Sequence, residues 1–128
     1  MPDYLDTSAF IKLVLAEPQS GPLREELLGS ELLSSSLLSV EGRRAARRYG
    51  KLAAERARAA LTAITLLPLD QPILDAAAEL GPVELRSLDA LHLATVVSLG
   101  EDLERLYCYD GRLASAARTL GIDVRQPQ

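Results

Sequence analysis

The sequence predicts an α/β fold: a central, mostly parallel sheet of about 4–5 strands with helices on both faces, a three-layer α/β/α sandwich. Three observations carry that expectation. Short β-prone runs alternate along the chain with longer helical segments. Most of the glycines and prolines stand at segment boundaries. The chain has 128 residues and no repeat, low-complexity tract or linker, so one domain spanning 1–128 is expected.

Each element has its own warrant. Residues 3–6 read as a strand, and 8–16 as a helix that Pro18 ends. Pro22 suits the first turn of the next helix, 22–28, which Gly29 closes. Residues 32–36 are a candidate strand. A helix follows over 37–48 until Gly50 breaks it. Residues 51–63, rich in Ala and Arg, read as helical. The run Ile64-Thr65-Leu66-Leu67 is β-prone and stops at Pro68. Residues 73–80 read as a helix ended by Gly81-Pro82. Ser87 is the expected N-cap of a helix over 88–99, with Gly100 as its stop. Residues 106–109 read as a strand, 112–120 as a helix with Gly121 past its end, and 122–124 as a last strand.

The chain is 48% hydrophobic and 25% charged, ordinary for a globular protein with a real core. Aromatics are few and Trp is absent, which argues against a base-stacking platform. The single cysteine, Cys108, excludes an intrachain disulfide and a Cys-cluster zinc site. It reads as a small buried hydrophobe in a reducing compartment, and a cytoplasmic location is expected. Asp3 and Asp6 without a basic segment make a secretory signal unexpected. The longest apolar stretch, Leu88 to Leu99, is too short to span a bilayer.

Net charge is −4, which argues against a general nucleic-acid coat. Yet seven of the 14 Lys and Arg lie between residues 43 and 58, where Glu55 is the only acid. Arg43, Arg44, Arg47 and Arg48 share one helical face and repel each other. Such a patch reads either as a solvated face or as a contact for a polyanion.

Four acids stand where apolar segments meet helix starts: Asp6, Glu41, Asp89 and Asp110. Acids there are costly to desolvate without a partner. A divalent cation suits several at once, because hard cations take oxygen ligands. In open α/β sheets ligands bind beyond the carboxyl ends of strands, where Asp6 and Asp110 fall. Each acid also has a plainer reading. Asp6 and Asp110 can be helix caps or turn residues. Glu41 can be an exposed residue favoured by the helix dipole. Asp89 opens a helix that is apolar nearly all round, so it needs a partner, with Arg86 or a metal as candidates. Thr7 and Ser8 can hold the Asp6 carboxylate or cap a helix. Arg86 reads first as an ion-pair partner of Asp89, second as a phosphate contact. His92 can be a ligand or acid, but reads more simply as a satisfied core histidine.

The segments Tyr-Leu-Asp-Thr-Ser-Ala at 4–9, Leu-Leu-Ser-Val-Glu at 37–41, Leu-Arg-Ser-Leu-Asp-Ala-Leu-His-Leu-Ala at 85–94 and Tyr-Asp-Gly-Arg-Leu-Ala at 109–114 together resemble the PIN-domain family. The likeness is to the small VapC toxins of bacterial and archaeal toxin–antitoxin pairs. The resemblance implies a PIN-like fold and a Mg²⁺- or Mn²⁺-dependent endoribonuclease. It maps the four family acids, catalytic and metal-binding, onto Asp6, Glu41, Asp89 and Asp110, with Thr7 or Ser8 as the supporting hydroxyl. Many relatives carry Thr or Ser where this chain has Cys108, a departure beside the fourth acid. The resemblance also implies an RNA substrate, a homodimer and a small antitoxin protein.

Carboxylate-held cations suit phosphodiester hydrolysis, since they activate water and stabilise charge on the phosphate. Arginines of the 43–58 patch would then bind RNA phosphates and position the strand without choosing its sequence. Three rival readings meet objections at named positions. A phospho-acceptor receiver domain wants adjacent acids at the first strand and a Lys near the last; here Thr7 follows Asp6 and the last strand ends at Arg125. An Asp-nucleophile phosphatase wants an acid two residues after Asp6, where Ser8 stands. A catalytically weak nucleic-acid-binding or regulatory module would have no need of all four acids.

Overall fold

A computed structural model of the chain describes residues 2–128. Five strands form one sheet: β1 (Pro2–Leu5), β2 (Glu31–Ser35), β3 (Ile64–Leu67), β4 (Arg105–Tyr107) and β5 (Val124–Arg125). Their order is β3-β2-β1-β4-β5, and every pairing is parallel. The helices are α1 (Thr7–Val14), α2 (Ser20–Glu26), α3 (Leu37–Arg47), α4 (Lys51–Leu61), α5 (Gln71–Glu79), α6 (Ser87–Leu99) and α7 (Gly111–Thr119). The expected α/β class and strand number hold.

The layers follow from side-chain alternation along the strands. Leu5 and Tyr107 pack with Phe10, Leu23, Leu38 and Ala57 from α1 to α4. Their chain neighbours Tyr4, Leu106 and Cys108 pack with Leu93 and Val96 of α6 and Leu113 of α7 on the other face. A smaller cluster, Ile73, Ala77, Ala90 and Ala94, joins α5 to α6. Phe10 is fully buried, a placement that contributes about 1.5–3 kcal/mol relative to exposure.

Several boundaries differ from expectation for local reasons. Asp6 is the N-cap of α1, its side chain accepting from the Ala9 N–H, so the helix starts at Thr7. Asp70 caps α5 through the Ile73 N–H, with Pro72 in the first turn; the helix therefore begins two residues before Ile73. Arg86, and not Ser87, is the N-cap of α6, and it makes no side-chain cap bond. The last strand is Val124–Arg125 rather than 122–124, because Ile122 bonds back to the Ala117 carbonyl at the end of α7. Among the described residues no helix is long and apolar enough to cross a membrane.

Candidate functional site: an acidic edge

Strand order reverses between β1 and β4, the switch point where parallel sheets open a crevice at the carboxyl edge. Asp6 and Asp110 follow those two strands. The register pairs Leu5 with Tyr107, which brings Asp6 level with Cys108. The Cys108 thiol lies 3.2 Å from Asp6 Oδ2, where the sequence suggested only a small hydrophobe. Helices α1, α3 and α7 leave this edge after β1, β2 and β4, and α6 starts there before β4. Four helix N-termini thus favour negative charge at one place.

Asp6 is 3% exposed. Its Oδ1 accepts from the Ala9 N–H at 2.9 Å and from Ser8 Oγ at 2.7 Å. Ser8 Oγ in turn accepts from the Tyr109 N–H at 2.8 Å, tying α1 to the end of β4. Burial nevertheless pushes the Asp6 carboxyl above its ordinary value, more than the donors pull it down. Asp110 caps α7, its Oδ1 accepting from the Leu113 N–H at 2.9 Å. The cap reading of both residues is thus structurally real, and it fixes both carboxylates at the crevice.

Glu41 comes from α3. Its Oε1 accepts from Thr7 Oγ1 at 2.9 Å and lies 2.8 Å from His92 Nε2. Burial alone would raise the Glu41 carboxyl; the His92 and Thr7 bonds outweigh it and hold the group below its ordinary value. Asp89 is half-buried in the first turn of α6. Burial raises its carboxyl, and so do the charges of Asp110, Asp6 and Glu41. Asp89 therefore feels the charge of all three other acids at this end of the sheet. Among the described residues, no three Asp, Glu, His or Cys side chains stand close enough to enclose an ion as they are. Asp110 and Glu41 each commit one oxygen, to a helix cap and to Thr7 and His92. Both Asp6 oxygens are engaged, Oδ1 by Ser8 and the Ala9 N–H and Oδ2 by Ser8 and Cys108.

The expected supporting groups divide. Thr7 and Ser8 bond the acids as described. Arg86 is exposed and forms no ion pair among the described residues, so the expected pairing with Asp89 is not made. Arg43, Arg44 and Arg47 on α3 and Arg48 at its C-cap are exposed and free of carboxylate partners within the described residues. Arg44, Arg47 and Arg48 line one surface depression. Arg44 and Arg48 follow Glu41 by three and seven residues, which sets them about 4.5 and 10.5 Å further along the same side of the helix. His92 is a satisfied core histidine, as its simpler reading expected, and its contact with Glu41 is the part the sequence did not reveal. The spacing of His92 from Asp89, one helical turn, was the available signal.

Residues 4–119 match the PIN domain family. The chain is 46% identical to Ribonuclease VapC46 of Mycobacterium tuberculosis, covering 97% of this chain and 96% of that one. It is 39% identical to Ribonuclease VapC47 of the same species, again over 97% and 96% of the two chains. The fold is shared with M. tuberculosis VapC20, a Sarcin-Ricin loop cleaving toxin (TM-score 0.73, 19% identity, 89% and 94% covered). It is shared too with a chain of Rickettsia felis VapBC2 bound to a promoter DNA fragment (TM-score 0.75, 13% identity, 100% of both chains). The chain belongs to the PIN-domain family. Within that family it is of the VapC ribonuclease type.

Proposed function

We propose that this chain, acting as one nuclease domain over residues 1–128, is a Mg²⁺- or Mn²⁺-dependent endoribonuclease and the toxin of a toxin–antitoxin pair. The observation that carries the reading is Asp89: a half-buried carboxylate raised first by its burial and then by the charges of Asp110, Asp6 and Glu41, in a chain 46% identical to a VapC ribonuclease.

The donor set fits a hard divalent cation. All four acids offer oxygen, and none has a thiolate competitor, because burial and the Asp6 charge keep the Cys108 thiol protonated. Mg²⁺ keeps several of its waters and uses few protein carboxylates, so a closed cage is not required. Asp6, Asp89 and Asp110 would hold the ion, with Glu41 completing the set or orienting the attacking water. A bound cation supplies a nucleophile at neutral pH and stabilises charge on the phosphate. Ser8 and the Ala9 N–H fix the Asp6 carboxylate, and the Leu113 N–H fixes Asp110. Thr7 and His92 keep Glu41 ionised, able to accept a hydrogen bond from the attacking water or to complete the cation's ligands. Arg44 and Arg48 would take successive RNA phosphates leading into the crevice, with Arg43 and Arg47 beside them. Arg86, at the mouth of α6, is a further phosphate contact.

The acidic crevice also fits a basic side chain of an antitoxin protein, placed among the carboxylates. A homodimer is the assembly the VapC reading implies. The test is cleavage of a mixed cellular RNA pool with added Mn²⁺, comparing wild type, Asp89→Asn and an EDTA control. Metal-dependent cutting that Asp89→Asn abolishes is expected. Equal cutting by both proteins sinks the reading.

A further inference from the structure

Two buried polar side chains stand behind the acidic edge. Tyr4 is fully buried on β1 and His92 is 2% exposed on α6. Tyr4 Oη lies 2.7 Å from His92 Nδ1, with the two rings edge to face. Across the imidazole, Nε2 lies 2.8 Å from Glu41 Oε1. One neutral tautomer satisfies the whole chain of contacts: the Tyr4 hydroxyl donates to Nδ1, and Nε2–H donates to Glu41. That tautomer is assigned from the partners the ring has.

We propose that His92 is a positioning residue for Glu41, braced from the core by Tyr4. A glutamate has three rotatable bonds and would otherwise sample many positions at the crevice. Here Thr7 from α1 and His92 from α6 both grip Oε1, which leaves Oε2 as the working oxygen. His92 also lies one turn after Asp89. The same helix therefore sets Asp89 and fixes Glu41, which belongs to α3, relative to it. A site that must hold geometry to a fraction of an ångström depends on such supporting contacts. The proposal rests on the reading that Glu41 belongs to the metal and water machinery.

The experiment compares wild type, His92→Leu, His92→Gln, Tyr4→Phe, Glu41→Gln and the double variant His92→Leu/Glu41→Gln. Three quantities are read: Mn²⁺ affinity without RNA by electron paramagnetic resonance, kcat and KM for RNA cleavage, and the melting temperature. His92→Leu should weaken Mn²⁺ binding and lower kcat by about 10–100-fold, leaving KM little changed. His92→Gln should recover part of the loss, because an amide can donate to Glu41 and accept from Tyr4. Tyr4→Phe should lose less, in the same direction. In the Glu41→Gln background His92→Leu should have no further effect. A folded His92→Leu protein with wild-type Mn²⁺ affinity and kcat overturns the proposal. So does a loss that simply adds to that of Glu41→Gln. Should His92→Leu not fold, His92→Gln and Tyr4→Phe decide by the same readouts: wild-type values in both overturn it. If Glu41→Gln itself changes neither quantity, the reading of the site falls too, which separates that failure from a failure of His92 alone.

Discussion

Replacing Gly42 with alanine should destabilise the protein even though alanine is the better helix former. Gly42 lies in the middle of α3, next to Glu41, and is buried. Alanine there gains about 1 kcal/mol of helix propensity. Its Cβ, however, would stand 2.7 Å from Phe10 Cε2, 2.8 Å from Cδ2 and 3.4 Å from Leu38 Cδ1. Carbon atoms settle near 3.5–4.0 Å, so α3 or the ring must move by roughly 1 Å. Phe10 is fully buried and has no open side to turn toward. Overpacking of this kind costs about 1–3 kcal/mol. The balance is a net loss of up to about 2 kcal/mol, or a fall in Tm of up to roughly 8 °C. Moving α3 also pulls Glu41 from Thr7 and His92, so RNA cleavage should drop further than stability explains. Thermal unfolding by circular dichroism, run beside the cleavage assay, reads both. Gly111→Ala is the control: its Cβ meets nothing within 4 Å, and it should gain about 0.4–1 kcal/mol. If Gly42→Ala raises Tm as much as Gly111→Ala does, the close approach of α1 and α3 is refuted.

Three further outcomes are expected. In metal-free protein, Asp89 carries a carboxyl raised above its ordinary 3.8, so the folded state binds its proton more tightly than the unfolded chain does. Its destabilising effect is complete above the raised value and vanishes below 3.8. Asp89→Asn should therefore be the more stable protein at neutral pH, with the gap to wild type closing on acidification in urea titrations. A gap independent of pH would contradict this. Arg44→Glu and Arg48→Glu, at exposed positions, should change stability by less than about 0.5 kcal/mol. Each should weaken RNA binding and make its salt dependence shallower by about 0.7 in log–log slope per lost phosphate contact. Ser8→Ala should leave the Tyr109 N–H without its partner and Asp6 short of a donor, costing about 1–3 kcal/mol in denaturant titrations.

The sheet was legible because its strands are short apolar runs, one cut off by Pro68, and because helices with clear stops at Gly100 and Gly121 separate them. The four acids were legible because charge at the end of an apolar run is conspicuous. Their convergence needed the strand order as well: Asp6 and Asp110 are far apart in sequence and meet only because β1 lies beside β4. Periodicity says nothing about which strands become neighbours. Cap chemistry was half visible. Asp6 and Asp110 could be read as caps, whereas Asp70, hidden before Gln71-Pro72, was passed over. The partnership of Tyr4, His92 and Glu41 joins three elements through side chains, and no local pattern encodes it. Cys108 taught the same lesson, since a thiol facing a buried carboxylate looks in sequence like any small core residue. Arg86 failed in the opposite sense: proximity along the helix to Asp89 did not produce an ion pair.

The central claim is that four carboxylates form one cation site. The most direct test follows thermal unfolding of wild type and Asp89→Asn while Mn²⁺ is added to protein stripped of metal. A ligand that binds only the folded state raises stability by about 2.7 kcal/mol at a hundredfold excess over its dissociation constant. Wild type should start the less stable of the two and climb with Mn²⁺, while Asp89→Asn should start higher and stay nearly flat. Equal responses of the two proteins to Mn²⁺, or no response from wild type, would contradict a shared site at Asp6, Glu41, Asp89 and Asp110.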